Sequence, residues 1–252
     1  MKQLITSESV TEWHPDKLCD QISDAILDAC FSQDPHARVA CETFVCNDTL
    51  VLGGELRTTA SLDYEQTARD TILAIGYDGD EKYFDGKSCK IINLLHTQSP
   101  EIAKWVDTGG AWDQGIMFGY ATNEADDFLP LPISLAHRLS RKLAEVRKNQ
   151  ELSYIYPDGK TQVTVEYQDG KPVRIDTIVL STQHAKDVEQ SQLHQDIKNL
   201  VVSPIAWNLV DTQTNYHINP TWVFNIWWPY GDTGLTGRKI IVDTYGGIGR
   251  HG

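Results

Sequence analysis

The chain lacks any excess of positive charge: 22 Lys and Arg stand against 35 Asp and Glu, a formal net charge of −13. That balance argues against nucleic acid or an anionic membrane surface as the main partner, because either needs a basic face. An anionic small molecule would then need a locally basic pocket, or a metal ion, to offset the surrounding acid. Cysteine is sparse, and Cys19, Cys30, Cys41, Cys46 and Cys89 form no CxxC pair and leave one thiol over. A disulfide framework or a structural zinc site finds no support, and reduced thiols in the cytoplasm are expected. No uninterrupted apolar run approaches the roughly 18 residues of a membrane span, and MKQLITSESVTEWHPDK has no apolar signal core. A soluble cytoplasmic protein is the reading. Also absent are a GxGxxG after a strand and a GxxxxGK phosphate loop, which removes ordinary nucleotide folds. No Ser/His/Asp order or Cys/His pairing supports covalent catalysis.

What is present fills one large or two ordinary domains. Over Asp16–Ser32 the apolar residues Leu18, Ile22, Ala25, Ile26 and Ala29 recur at three and four, predicting an amphipathic helix that Pro35 closes. RVACETFV at 38 to 45 alternates as a half-buried strand, and VLGGELRTTA predicts a second after a turn at Asn47-Asp48, its Gly-Gly pair read as a bulge. Residues 63–76 read as a helix with an acidic first turn and Gly76 at its end, followed by a strand near 89–95. The Gly-rich stretch 104–115 is expected to be a mobile connector. Beyond it come a helix at about 134–148, strands TQVTVEY and VRIDTIVLSTQ around an Asp169-Gly170 hairpin turn, and a helix at about 186–201. Helices and strands mix without βαβ regularity, so the fold class is α+β.

Several stretches have chemical potential beside an ordinary structural reading. In residues 229–247, PYGDTGLTGRKIIVDTYGG, glycines admit backbone N–H groups to an anion and Arg238-Lys239 can neutralise phosphate; a solvated hairpin is the commoner reading of such a stretch alone. His14 to Lys17, HPDK, gathers an imidazole, a carboxylate and an ammonium at a helix start, where Asp16 also serves simply as a favourable first-turn acid. Ser7-Glu8-Ser9 reads as hydrogen-bonding near that same helix start. Asp158 and Lys160 lie in PDGK, which reads as a type I turn. Glu42, inside an otherwise apolar strand, needs a partner or a cation.

Taken together, TSESV, HPDK, ACET, GGE, TQSPEI, DQGIMFGYATNE, DGKTQVT, VLSTQH, NPT and GDTGLTGRKIIVDTYGG, in this order, resemble the S-adenosylmethionine synthetases from end to end. The resemblance implies three similar α+β domains: 1–101, a gating loop at 102–112, 113–223, and the start of a third at 224–252, where the chain stops short of the family's next glycine-rich segment. It implies a transferase that joins methionine to ATP and hydrolyses the released tripolyphosphate to phosphate and pyrophosphate, with active sites shared between the subunits of a homodimer, often paired into a homotetramer. By matching motif, His14, Lys160, Asp232, Arg238 and Lys239 would be catalytic. ATP would meet His14, Asp158, Lys160, Val223, Phe224, Asp232, Arg238 and Lys239. Methionine would meet Glu55, Gln98, Asp113 and Asp232. Asp16 would hold Mg2+, of which a pair per site is expected, and Glu42 would hold K+.

The chain departs from the family at Trp13, Trp105, Trp112, Trp222, Trp227 and Trp228, where the family carries glycine. An indole where glycine allows positive φ or close ligand approach would clash or fill the pocket, and a non-catalytic paralogue acting as a binding partner is the alternative this raises. A nucleotide-binding module without methionine chemistry is a further one. Intact charged motifs beside these substitutions point instead to a gene in which UGA specifies glycine but was translated as tryptophan. Sequencing the gene is expected to find UGA at all six positions; UGG codons there would overturn that explanation.

Overall fold

The computed structural model describes residues 1–78, 84–97, 115–206, 208–220 and 232–251. In chain order the elements are β1 (Lys2–Val10), α1 (Pro15–Gln33), β2 (Arg38–Cys46), β3 (Thr49–Arg57), α2 (Tyr64–Ile75), β4 (Lys90–Thr97) and α3 (Leu131–Lys148). There follow β5 (Ile155–Gln168), β6 (Lys171–His184), α4 (Gln190–Asp196), a π-helical turn (Ile197–Val202), α5 (Ser203–Ala206), β7 (Asn215–Ile218) and β8 (Gly234–Leu235). The chain forms two compact units: one of Met1–Trp13, Phe118–Ile226 and Lys239–Gly252, the other of His14–Met117 and Trp227–Arg238.

In the first unit the sheet order is β1-β5-β6-β7, with β1/β5 and β5/β6 antiparallel and β6/β7 parallel. The β5–β6 hairpin closes at Asp169 and Gly170, whose φ angles of 51° and 78° fit the expected two-residue turn. On α3 the buried residues Leu135, Leu139 and Leu143 recur every fourth position and join Val163, Val165, Ile175, Ile178 and Leu180 in one core. Emptying such a site, as in Leu139→Ala, costs about 2–5 kcal/mol. The helix begins at Leu131, earlier than its periodicity indicates, because Glu124 Oε2 accepts the Leu131 N–H at 3.0 Å and the Tyr167 hydroxyl at 2.6 Å. A tertiary carboxylate thus caps a start that Pro130 leaves without its own side-chain cap. The later helix also differs from the expected 186–201: it starts at Gln190 and continues through the π-helical turn to Ala206.

In the second unit the order is β4-β3-β2-β8, with β3 and β4 parallel. Buried Leu18, Ile22, Ile26 and Cys30 form a four-residue stripe on α1, which packs on β2 and α2. Asp63 caps α2 by accepting the Gln66 N–H, and Gly76 ends it at φ 113°. The Gly53-Gly54 pair is not a bulge, because register with β2 runs unbroken from Arg38–Arg57 to Cys46–Thr49. Gly54 is required for another reason: at φ 123° a Cβ would lie 2.0 Å from the Ala40 carbonyl oxygen. Trp13 is fully buried and is not among the described residues with positive φ, so the backbone at this position accommodates an indole. The other five tryptophans named above lie outside the described residues.

Two results are expected. Gly54→Ala should destabilise the protein by about 1–3 kcal/mol in denaturant unfolding, whereas Gly53→Ala, whose Cβ would meet nothing within 4 Å, should be near neutral. Thiol labelling of the native protein should begin at half-buried Cys46, since the other four cysteines are buried. Burial pushes the Cys41 thiol up to about 11 and raises those of Cys19, Cys30 and Cys89, which starves them of reactive thiolate. Cys46→Ala should remove the first labelling phase.

Candidate active site

The HPDK segment forms the start of α1. His14 is the N-cap: its Nδ1 accepts the Asp16 N–H at 3.2 Å, and Pro15 occupies the first turn, where no N–H is needed. With Nδ1 as acceptor, a neutral imidazole carries its proton on Nε2 and presents that atom as a donor. His14 and Asp16 are both almost fully buried. Asp16 is a first-turn acid, but it also acts at long range: Oδ1 accepts the Leu235 N–H at 2.9 Å, while Oδ2 lies 3.9 Å from His14 Nδ1. One carboxylate therefore joins the HPDK motif to the GDTGLTGR segment across more than two hundred residues of chain.

That segment is held by geometry only glycine permits. Gly234 and Leu235 pair with Val45 and Phe44 of β2, and a Cβ on Gly234 would fall 2.2 Å from the Pro15 carbonyl oxygen. Thr236 joins a hydroxyl network with Ser23 and Thr43: the Ser23 Oγ lies 3.0 Å from Thr236 Oγ1 and 2.8 Å from Thr43 Oγ1, and the Thr43 N–H donates to Thr236 Oγ1 at 2.8 Å. Asp232 and Arg238 flank this docked stretch and are exposed. The segment is thus neither a free hairpin nor a solvated loop.

Glu42 and Glu55 lie on one face of the same sheet. In β2 the residues Cys41, Thr43 and Val45 are buried while Glu42 and Phe44 are exposed, so the strand alternates as expected and Glu42 points away from the core. The strand is buried on one face only, and Glu42 stands on the other. Desolvation and the nearby Asp20 charge still raise the Glu42 carboxyl above its ordinary value. Glu55 is half-buried opposite Ala40 and pairs in parallel register with His96, whose Nε2 is 3.9 Å from Glu55 Oε1.

The first unit carries Asp158, Lys160 and Lys239. The PDGK stretch is not a turn but part of β5, with Gly159 opposite Thr182 and Lys160 between Val10 and Ser181. Its turn propensity loses to the ladder and to Thr11, whose N–H donates to the Gly159 carbonyl at 3.0 Å, whose Oγ1 accepts the Gly159 N–H at 3.1 Å and whose hydroxyl donates to the Pro157 carbonyl at 2.7 Å. Asp158 is fully buried and Lys160 is exposed. After Lys239 the apolar stretch folds as successive turns, with the Asp243 N–H donating to the Lys239 carbonyl at 2.8 Å. It ends against β1, where the Gly247 N–H donates to Ser7 Oγ at 3.1 Å. Ser7 and Ser9 sit buried in β1, with Gly247 as the partner of the first, and Ser9 Oγ lies 2.9 Å from His137 Nδ1.

Gln98, Asp113, Val223 and Phe224, and the loop 102–112, lie outside the described residues. Among the described residues no group of three or more His, Cys, Asp or Glu side chains is arranged to hold a metal ion. No described helix is long and apolar enough to cross a membrane. Asp20, Ser23, Thr236 and His96 were not singled out by motif. The i, i+4 spacing of Asp16 and Asp20 was the available signal for the first.

Comparison with known proteins places every region of the chain in one family. Residues 2–100, 108–224 and 226–252 match, respectively, the profiles of the N-terminal, central and C-terminal domains of S-adenosylmethionine synthetase. The chain is 52% identical to an S-adenosylmethionine synthase of Clostridium tetani (strain Massachusetts / E88) and 52% identical to one of Clostridium botulinum (strain Alaska E43 / Type E3). Each match covers all of this chain and 68% of the relative. It is 51% identical to an S-adenosylmethionine synthase of Brachyspira hyodysenteriae (strain ATCC 49526 / WA1), over 98% of this chain and 66% of that protein. With the HPDK and GDTGLTGR segments joined at one carboxylate and all three domain profiles matched in order, the chain belongs to the S-adenosylmethionine synthetase family of transferases, the methionine adenosyltransferases.

Proposed function

We propose that the protein forms S-adenosylmethionine from ATP and L-methionine and hydrolyses the released tripolyphosphate to phosphate and pyrophosphate. The observation that carries this reading is the Asp16 carboxylate, which anchors the segment between Asp232 and Arg238 through the Leu235 N–H at 2.9 Å. Attack of the methionine sulfur on the ribose C5′ breaks a C–O bond and leaves negative charge on the departing triphosphate. Catalysis then consists of alignment and of cations waiting where that charge develops. Arg238, Lys239 and Lys160 supply those cations, and the His14 Nε2–H is the donor assigned to the triphosphate near the bond being broken. Asp158, Lys160, Val223 and Phe224 are assigned to ATP, the Phe224 ring to the adenine face. Glu55, Gln98, Asp113 and Asp232 are assigned to methionine.

The residues present fit the two ions the family implies. Mg2+ is commonly held by one or two carboxylates together with substrate phosphates, so Asp16 suffices on the protein side without a preformed acidic cage. Such an ion neutralises phosphate charge when bound. Glu42 fits a monovalent cation such as K+, because desolvation and Asp20 disfavour its ionised form in the absence of one. The same reading takes the domains as 1–101, 113–223 and the start of a third at 224–252, with 102–112 as the gating loop. It takes the active assembly as a cytoplasmic homodimer or homotetramer with sites at the dimer interface.

Incubation of the purified protein with ATP, methionine, Mg2+ and K+ should yield S-adenosylmethionine, phosphate and pyrophosphate in equal amounts. Chelation of divalent cations should abolish the reaction. Lys160→Met and Asp232→Asn should each lower kcat by about a hundredfold or more, and Glu42→Gln should remove the response to K+. Release of phosphate from ATP with no dependence on methionine would overturn the assignment.

A further inference from the structure

Beyond the residues assigned above, α1 carries a second carboxylate aimed at the same segment. Asp16, Asp20 and Ser23 are spaced four and three residues apart, so they share one face of the helix. Each takes one contact from the docked stretch. Asp16 Oδ1 accepts the Leu235 N–H at 2.9 Å, Ser23 Oγ meets Thr236 Oγ1 at 3.0 Å, and Asp20 Oδ1 accepts the Gly237 N–H at 2.9 Å. Asp20 Oδ2 lies 3.0 Å from Lys17 Nζ, the last residue of HPDK. The Asp20 carboxylate therefore has one oxygen on each of the two motifs.

Its position along the chain gives the contact its consequence. Gly237 is the residue before Arg238 and holds φ at 74°, a conformation that glycine adopts without strain and also leaves readily. The Leu235 and Thr236 contacts fix the strand end, but neither limits rotation about the Gly237 backbone. A charge-assisted hydrogen bond to the Gly237 N–H does, and so fixes the direction in which the Arg238 side chain leaves the backbone. The geometry points to Asp20 as a positioning residue that orders Gly237 and thereby presents Arg238 to the polyphosphate. It touches no reacting atom. The Lys17 ammonium, 3.0 Å from the other oxygen, offsets the carboxylate charge beside the segment. This inference rests on the assignment of Arg238 to phosphate given above.

The test uses the full chain, with Asp20→Ala and Asp20→Asn, and two readouts. Amide hydrogen exchange over Leu235–Arg238 reports the docking; titration calorimetry with magnesium tripolyphosphate reports its consequence. Asp20→Ala should speed exchange at Gly237 about tenfold and weaken tripolyphosphate binding about tenfold. Asp20→Asn keeps an oxygen acceptor for the Gly237 N–H and should hold both within about threefold of the unaltered protein. A residue that only stabilised the fold would lower the thermal midpoint in both variants without this split. Unchanged exchange in Asp20→Ala would overturn the inference, as would faster exchange with unchanged tripolyphosphate affinity; both leave the assignment of Arg238 standing. An unaltered protein that binds no tripolyphosphate would overturn that assignment and this inference with it.

Discussion

The interaction on which the second unit depends is the bond between the almost fully buried Asp16 carboxylate and the Leu235 N–H, 2.9 Å long. A buried carboxylate is costly unless it is hydrogen-bonded, and a helix start is the cheapest place to put one because the first-turn N–H groups and the dipole both favour negative charge. His14 completes the arrangement by capping the helix through Nδ1, which commits its Nε2 to the donor role. The same few atoms thus end a loop, begin a helix, and seat a distant glycine-rich segment.

Around that point each unit solves an ordinary packing problem. A helix with an apolar residue at every fourth position covers one face of a four-stranded sheet in each case, α3 over β5 and β1, α1 over β2. The opposite face of the second sheet carries Glu42, Phe44 and Glu55. Glycine marks the places where backbone meets backbone: Gly54 against Ala40 and Gly234 against Pro15 each leave no room for a Cβ.

Several elements were legible in the residues because their signals are local. The α1 and α3 stripes, the Asp63 and Gly76 ends of α2, and the Asp169-Gly170 turn each depend on a few neighbouring side chains, and each appears where its pattern placed it. The failures share one cause. PDGK reads as a turn because its local propensities are those of a turn, yet β1 and β6 recruit its backbone into a ladder. The start of α3 was missed because its cap, Glu124, comes from outside the helix.

By itself the sequence determined the class of fold, the spacing of the helices and strands, and the family, since motifs in fixed order carry that information without coordinates. Tertiary structure alone decided which of those motifs meet. Asp16 with Leu235, Asp20 with Gly237, and Ser7 with Gly247 each join residues more than two hundred positions apart. Nothing in local propensity encodes such pairs, because the entropy of closing so long a loop is offset only when the surrounding core forms with it.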